Sequence, residues 1–304
     1  MYTLHKIKND SFPENTYIIC SKEMQDILFH PNIAGKELQD RMQKISRIFA
    51  DAMYSQVLTG KRIDQITVLI FLAGGLYYEL NSGFKSAFNV ALPQCFLGIK
   101  RQRIEGTEGE FTAIATYENF ESLPNNGTII VGDTIATGAT IQKGIYHLLE
   151  VISAKKYNIE NIVVCSLACS KVGAELLKEV EKRVKLNFPK AKLYLFVAEE
   201  LFHLMPDGTD LRFLEKDSLM PDETKKAVIT ELGEELGKNM KCAVFDWGTR
   251  CKNPIKHYHE FLEFAHAYQK QAKTPKAKEK IEQMIDETNR SLEEFEKSLE
   301  LVNK

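Results

Sequence analysis

Apolar residues recur at helical spacing from Glu37 to Leu58, at Leu38, Met42, Ile45, Ile48, Phe49 and Met53, which predicts one amphipathic helix packed on a sheet. The pattern then changes. Ile66–Phe71 is short, rich in β-branched residues and wholly apolar, and so are Ile129–Val131 and Ile162–Leu167. Between these runs lie helical patterns near Leu76–Phe88, Ile141–Ser153 and Val172–Val184. Strands without polar alternation, separated by helices, predict an α/β fold: a parallel sheet with helices on both faces. Such a sheet collects its ligands at the carboxyl ends of its strands.

Two stretches break the rhythm. Residues 207–239 are polar and rich in Asp, Glu and Lys, with Pro221-Asp222-Glu223 opening a helix, so they read as an insertion before the apolar run Cys242-Ala243-Val244-Phe245. From Lys273 onward the chain is charged, with Ile281, Met284, Ile285, Leu292, Phe295 and Leu299 on one helical face. The expected division is a main α/β domain over residues 1–252 and a helical C-terminal extension over 253–304, packed on the body or on a second subunit.

Composition narrows the function classes. With 304 residues, 44% of them hydrophobic, the chain can fill a full core. Lys and Arg number 40 against 42 Asp and Glu, so a net charge of -2 offers no broad attraction to nucleic acid or an anionic membrane, and any anion site must be local. The six cysteines show no Cys-x-x-Cys spacing and mostly lie in apolar runs, as buried reduced thiols do. The opening Met1–Lys6 is not followed by a signal-peptide run, and no segment reaches the roughly 20 apolar residues of a membrane span, so a cytoplasmic protein is expected.

One segment carries chemistry. A turn at Pro124-Asn125-Asn126-Gly127 launches an apolar strand that runs into Gly132-Asp133-Thr134-Ile135-Ala136-Thr137-Gly138-Ala139-Thr140 before a helix. Small residues between a buried strand and a helix N-terminus aim free backbone N–H groups at one point, where the helix dipole adds positive potential. Thr137 and Thr140 add hydroxyl donors, Gly138 and Ala139 let a phosphate approach the backbone, and Asp133 can accept from sugar hydroxyls. The alternative is a plain strand-to-helix turn capped by Thr140, which does not call for the acid, both threonines and the glycine together.

This segment resembles the phosphoribosyl-diphosphate signature of type I phosphoribosyltransferases, with Gly132 where the first acid is expected and Thr134 in place of an apolar residue. Further segments resemble the uracil phosphoribosyltransferase branch. Ile70-Phe71-Leu72-Ala73-Gly74-Gly75 is similar to its pyrophosphate loop, with Leu72 where that family has arginine. Gly98-Ile99-Lys100-Arg101 and Leu123-Pro124 resemble the borders of its mobile hood, with Tyr117 between them. Ser166–Gly173 resembles a strand-to-helix step, and Leu193–Glu200 the strand that follows. Phe245-Asp246-Trp247-Gly248-Thr249-Arg250 is similar to its nucleobase segment, with Phe245 and Trp247 bulkier than the family's residues. The similarity spans roughly Lys36 to Arg250.

The resemblance implies transfer of ribose 5-phosphate from phosphoribosyl diphosphate to a pyrimidine-type, uracil-like base, with release of pyrophosphate. It implies a cradle of Gly132, Asp133, Thr134, Ile135, Ala136, Thr137, Gly138, Ala139 and Thr140 for the ribose phosphate. Ala73, Gly74 and Arg101 would hold the diphosphate, and Met240, Phe245, Asp246 and Trp247 would face the base. Asp133, Arg101 and Asp246 would be the catalytic set, Mg2+ the cofactor and a homodimer the assembly. An arginine clamp of the kind absent at Leu72 contributes about 1.5 to 3 kcal/mol, or roughly 10- to 100-fold in rate. The departures therefore keep a second class open, a regulatory protein that binds the ligand without turning it over, and a more distant third, a phosphosugar enzyme of another reaction type.

Overall fold

The computed structural model describes the backbone of residues 1–72, 74–103, 111–241 and 247–302, and the side chains of residues 1–72, 74–100, 113–241 and 247–298. In chain order the elements are β1 (Tyr2–Ile7), β2 (Asn15–Ser21), α1 (Lys22–Leu28), α2 (Gly35–Met53), β3 (Ile66–Leu72), α3 (Leu80–Phe88), β4 (Gln94–Arg103), β5 (Phe111–Asn119), β6 (Gly127–Gly132) and α4 (Ala139–Ala154). There follow β7 (Ile159–Ser166), β8 (Cys169–Ser170), α5 (Lys171–Asn187), β9 (Lys192–Ala198), β10 (Leu201–Leu204), β11 (Leu211–Arg212), α6 (Asp222–Asn239), α7 (Trp247–Lys252), α8 (Pro254–Gln271) and α9 (Pro275–Val302).

Eight strands form one sheet in the order β1-β2-β9-β7-β6-β3-β4-β5. The inner six run parallel, as their unbroken apolar runs predict. The two edges depart from that expectation, because β1 pairs with β2, and β5 with β4, antiparallel. Along part of its length β1 alternates half-buried with exposed positions, as one open face allows, whereas Ile114–Glu118 of β5 are all exposed. A second sheet of three short strands, β11-β10-β8, sits beside the carboxyl end of β7.

The two faces of the main sheet carry separate cores. On one face α4 and α5 pack Ile141, Ile145, Leu148, Leu177 and Val180 against Leu69, Val131 and Val164. On the other, α1 and α2 join Phe261 of α8 and Ile281, Met284 and Ile285 of α9 against Ile70, Ile130 and Phe196. Phe261 of α8 and the first half of the α9 stripe thus lie in the same core as the sheet, while Leu292 and Phe295 are half-buried.

Local outcomes differ from the sequence expectations in three places. The helix expected from Glu37 to Leu58 ends as α2 at Met53, and its last turn, Tyr54–Leu58, widens to π geometry. The helix expected from Leu76 begins as a 3-10 turn over Gly74–Tyr78 and becomes α-helical only at Leu80, after Glu79 adopts a left-handed φ of 51°. The strand expected over Ile162–Leu167 starts three residues earlier and ends one earlier, at Ile159–Ser166. Among the described residues, no helix is long and apolar enough to cross a membrane.

Candidate functional site

The chain passes from β3 outward to β4 and β5, then returns to lay β6 on the other side of β3. Connections after β3 and β6 therefore leave the sheet in opposite directions, and a crevice opens above their carboxyl ends. Gly74 lies at one side of that crevice and residues 133–141 at the other. A Cβ placed on Gly74 would stand 3.9 Å from Asp133 Oδ1 and 4.0 Å from Trp247 Cδ1. The cavity there measures about 880 Å³ and is lined by Gly74, Asp133–Ile141, Trp247 and Gly248.

Protein hydrogen bonds hold the start of the loop and leave its middle open. Asp133 N–H donates to Cys165 O at 3.1 Å, Thr134 N–H to Asp133 Oδ1 at 2.9 Å and Ile135 N–H to Ala168 O at 2.9 Å. Ser170 reinforces this: its N–H donates to Ile135 O at 2.7 Å, its hydroxyl donates to Ala136 O, and the same oxygen caps α5 by accepting from Gly173 N–H at 2.7 Å. Beyond Ile135 the pairing stops. Among the described residues no hydrogen bond engages the amides of Ala136, Thr137, Gly138 or Thr140, and Ala139 N–H meets only Thr137 Oγ1, at 3.5 Å. Gly138 makes the turn with φ 83°, the left-handed region that suits glycine, and α4 begins at the next residue. Several orphan donors and the positive end of a 16-residue helix thus converge on one lip of the cavity. Asp133, Thr134, Thr137 and Thr140 are half-buried and line it, whereas the Ile135 side chain turns into the core and anchors the loop.

Gly132 lacks the expected acid for a steric reason. A Cβ on Gly132 would meet the ring and Cβ of Tyr78 at 2.8 to 2.9 Å, so any side chain there collides with that phenol. Tyr78 is fully buried; its hydroxyl accepts from Leu167 N–H at 3.0 Å and shares a 3.1 Å hydrogen bond with Thr134 Oγ1. Burial drives its pKa up, so the phenol stays neutral. Tyr78 was not among the residues the sequence pointed to, although a glycine at an acid's position is the signal that a neighbour fills the space.

Trp247, at the start of α7, is 6% exposed and packs its ring 5.9 Å from that of Tyr78. It forms the inner wall of the crevice. Met240 is fully buried and takes no part in the lining. Arg250 turns away from the cavity: its guanidinium is buried and donates to the carbonyls of Ile33 (2.6 Å), Ile27 (3.2 Å) and His30 (2.8 Å), tying α7 to the end of α1 and the chain that follows it. Ala73, Phe245 and Asp246 lie outside the described residues, and only the backbone of Arg101 is described, in β4 opposite Ala113. Leu72 ends β3 half-buried against the core.

The outer rim comes from segments that the motifs did not mark. Glu260, Glu263, Phe264 and Ala267 of α8 line one side. Opposite stands the turn Asp207–Asp210 with Thr209 and Lys241. Asp207 accepts from Thr209 N–H and Asp210 N–H, both at 2.9 Å, and from Thr209 Oγ1 at 2.8 Å; partial burial opposes its charge, but these bonds outweigh it and hold the carboxyl below its ordinary range. Burial raises Asp210 despite its ion pair with Arg212 at 2.6 Å. Both carboxylates are thus engaged in shaping the rim.

No family model matches the chain, and no curated protein matches it. Solved structures do. A hypoxanthine phosphoribosyltransferase from Staphylococcus aureus is 16% identical over 53% of this chain and 73% of its own, with a TM-score of 0.31. Hypoxanthine-guanine phosphoribosyltransferase of L. donovani is 14% identical over 58% of this chain and 86% of its own, with a TM-score of 0.30. A hypothetical protein from Neisseria gonorrhoeae with bound ppGpp is 12% identical, with a TM-score of 0.30; the chain spans 42% of its own length and 66% of that protein's in the overlap.

Proposed function

We propose that this protein is a phosphoribosyltransferase that moves ribose 5-phosphate from phosphoribosyl diphosphate to a pyrimidine-type base and releases pyrophosphate. The observation that carries this reading is the run of unengaged amides from Ala136 to Thr140, at a helix N-terminus on the rim of a crevice deep enough for a nucleotide. Those amides and the Thr137 and Thr140 hydroxyls receive the 5′-phosphate. Asp133 takes the ribose hydroxyls. Gly74, with Ala73 and Arg101, receives the diphosphate, and Trp247, with Phe245 and Asp246, faces the base.

Displacement of pyrophosphate passes through an oxocarbenium-like state, so the site's work is to hold donor and acceptor in line and to exclude water. A divalent Mg2+ fits this donor set. Asp133, the carboxylate of the loop, would hold the ion, with substrate oxygens and water completing its shell. When bound, Mg2+ would neutralise charge on the leaving diphosphate.

A second reading is favoured by Tyr78, whose ring fills the place of an acid beside Gly132, and by Leu72, which brings no guanidinium. It is a protein that binds the phosphoribosyl ligand and does not turn it over. One assay separates the two: incubation with phosphoribosyl diphosphate, Mg2+ and a panel of bases, reading pyrophosphate, alongside calorimetry. Release with a pyrimidine supports the transferase. Binding without release from any base leaves the binding protein, and no binding removes both. The homodimer and the cytoplasmic setting belong to the same proposal, and sedimentation would test the first.

A further inference from the structure

Away from the crevice, three metal-ligating side chains of different chemistry meet where no motif pointed. His5 lies on edge strand β1, Cys20 on β2 and Glu223 in the first turn of α6. Register explains the first two. Thr3 stands opposite Cys20 and His5 opposite Ile18, so Thr3, His5 and Cys20 project from one face of the hairpin. The start of α6 brings Glu223 over that face. Ligand atoms of His5, Cys20 and Glu223 all lie within 4.8 Å of one another.

We propose that His5, Cys20 and Glu223 form a binding site for a zinc-class divalent cation. An imidazole, a thiolate and a carboxylate suit a borderline-soft ion with tetrahedral preference. Bond lengths of about 2.0 to 2.3 Å put tetrahedral ligands about 3.5 Å apart, so side-chain rotations of about an ångström close the cluster around an ion. His5 and Glu223 are 41% and 46% exposed, which opens a path for the ion and leaves a fourth position to water. Cys20 lies behind them, nearly buried, and is a free thiol.

The surroundings are built as an outer shell. Thr3 Oγ1 donates to Glu223 Oε1 at 2.5 Å, and the same oxygen lies 2.6 Å from His5 Nε2. Thr224 Oγ1 stands 3.3 Å from Cys20 Sγ and donates its one proton to Glu199 Oε2 at 2.7 Å. The thiol proton lies between the sulfur and its neighbours Thr224 and Glu223; on metal binding it leaves to solvent as the S–metal bond forms, and Thr224 stays beside the sulfur.

Charge gives the independent argument. Glu199 is fully buried beside this cluster, where it accepts from Thr224 Oγ1, and Glu200, the next residue, is also buried. Among the described residues no lysine or arginine forms an ion pair with Glu199, Glu200 or Glu223; His5 is the only ionic partner of Glu223. A cation at the His5–Cys20–Glu223 junction would balance Glu223 and the thiolate of Cys20. It would also pin the edge strand to β2 and to α6, the helix that follows the cavity's outer rim.

The test uses the chelator-stripped full chain with Co2+ as a spectroscopic probe and Zn2+ in competition with a chromophoric chelator. One equivalent of Co2+ should produce a thiolate-to-cobalt charge-transfer band that Zn2+ abolishes. Cys20→Ser should remove the band, while Cys251→Ser leaves it intact. His5→Ala, at a partly exposed position on the edge strand, should weaken Zn2+ by more than the roughly 100-fold that loss of an outer-shell partner costs. Absence of the band in the parent protein, its survival in Cys20→Ser, or unchanged affinity in His5→Ala would each overturn the assignment.

Discussion

Replacing Thr137 by valine tests the cradle with little disturbance to the fold. Thr137 is half-buried, lines the crevice, and its hydroxyl makes one long contact, 3.5 Å to Ala139 N–H, at the outer limit of a hydrogen bond. Valine keeps the shape and removes the hydroxyl, so stability should stay within about 0.5 kcal/mol of the parent. A hydrogen bond from that hydroxyl to a phosphate dianion contributes about 1.5 to 3 kcal/mol. At about 1.4 kcal/mol per decade, affinity for phosphoribosyl diphosphate and for ribose 5-phosphate should fall about 10- to 150-fold. The amides of Ala136, Gly138 and Thr140 remain in the variant, which is why binding weakens rather than vanishes. Calorimetry with both ligands, beside urea denaturation of the same preparations, separates affinity from stability. Equal affinity of the variant and the parent for ribose 5-phosphate would refute the placement of the phosphate.

Other substitutions probe the supports. Asp133→Asn should weaken phosphoribosyl diphosphate far more than inorganic phosphate under the proposed role of its carboxylate toward the ribose; equilibrium dialysis with the two ligands would show it. Tyr78→Phe leaves Leu167 N–H buried without its 3.0 Å acceptor and should cost about 1 to 3 kcal/mol in urea denaturation. Arg250→Met removes the donor shared by three carbonyls and should cost about 3 kcal/mol or more, with the melting temperature as readout. Glu200 and Glu199 are raised above 4.5, in both cases by burial first, and Glu199 adds like charge to Glu200. A raised carboxyl binds its proton more tightly when folded, so this contribution is complete below about pH 4.5 and is lost as pH climbs through the folded values. Glu200→Gln should therefore raise the melting temperature at pH 8 and leave it unchanged near pH 4; an equal gain at both ends would contradict the assignment.

Much of the scaffold was legible in the sequence because its signals are local. Unbroken apolar runs at Ile66, Ile129 and Ile162 specify buried parallel strands wherever they sit. The open-amide loop was legible too, since a strand, a run of small residues and a helix N-terminus are consecutive, and their backbone geometry follows from those residues alone. The antiparallel edges were not, because strand direction at an edge depends on which strand the chain returns to.

The sequence by itself thus determined the α/β alternation and the loop whose amides stay open from Ala136 to Thr140. Tertiary structure decided everything that required distant residues to meet. It set Tyr78 against Gly132, so that no acid fits there; it turned Arg250 inward to carbonyls 217 to 223 residues away; and it brought α8 to the crevice rim. Contacts across such separations leave no periodic trace along a chain, since each depends on how the layers close around the sheet and on which volume remains to be filled.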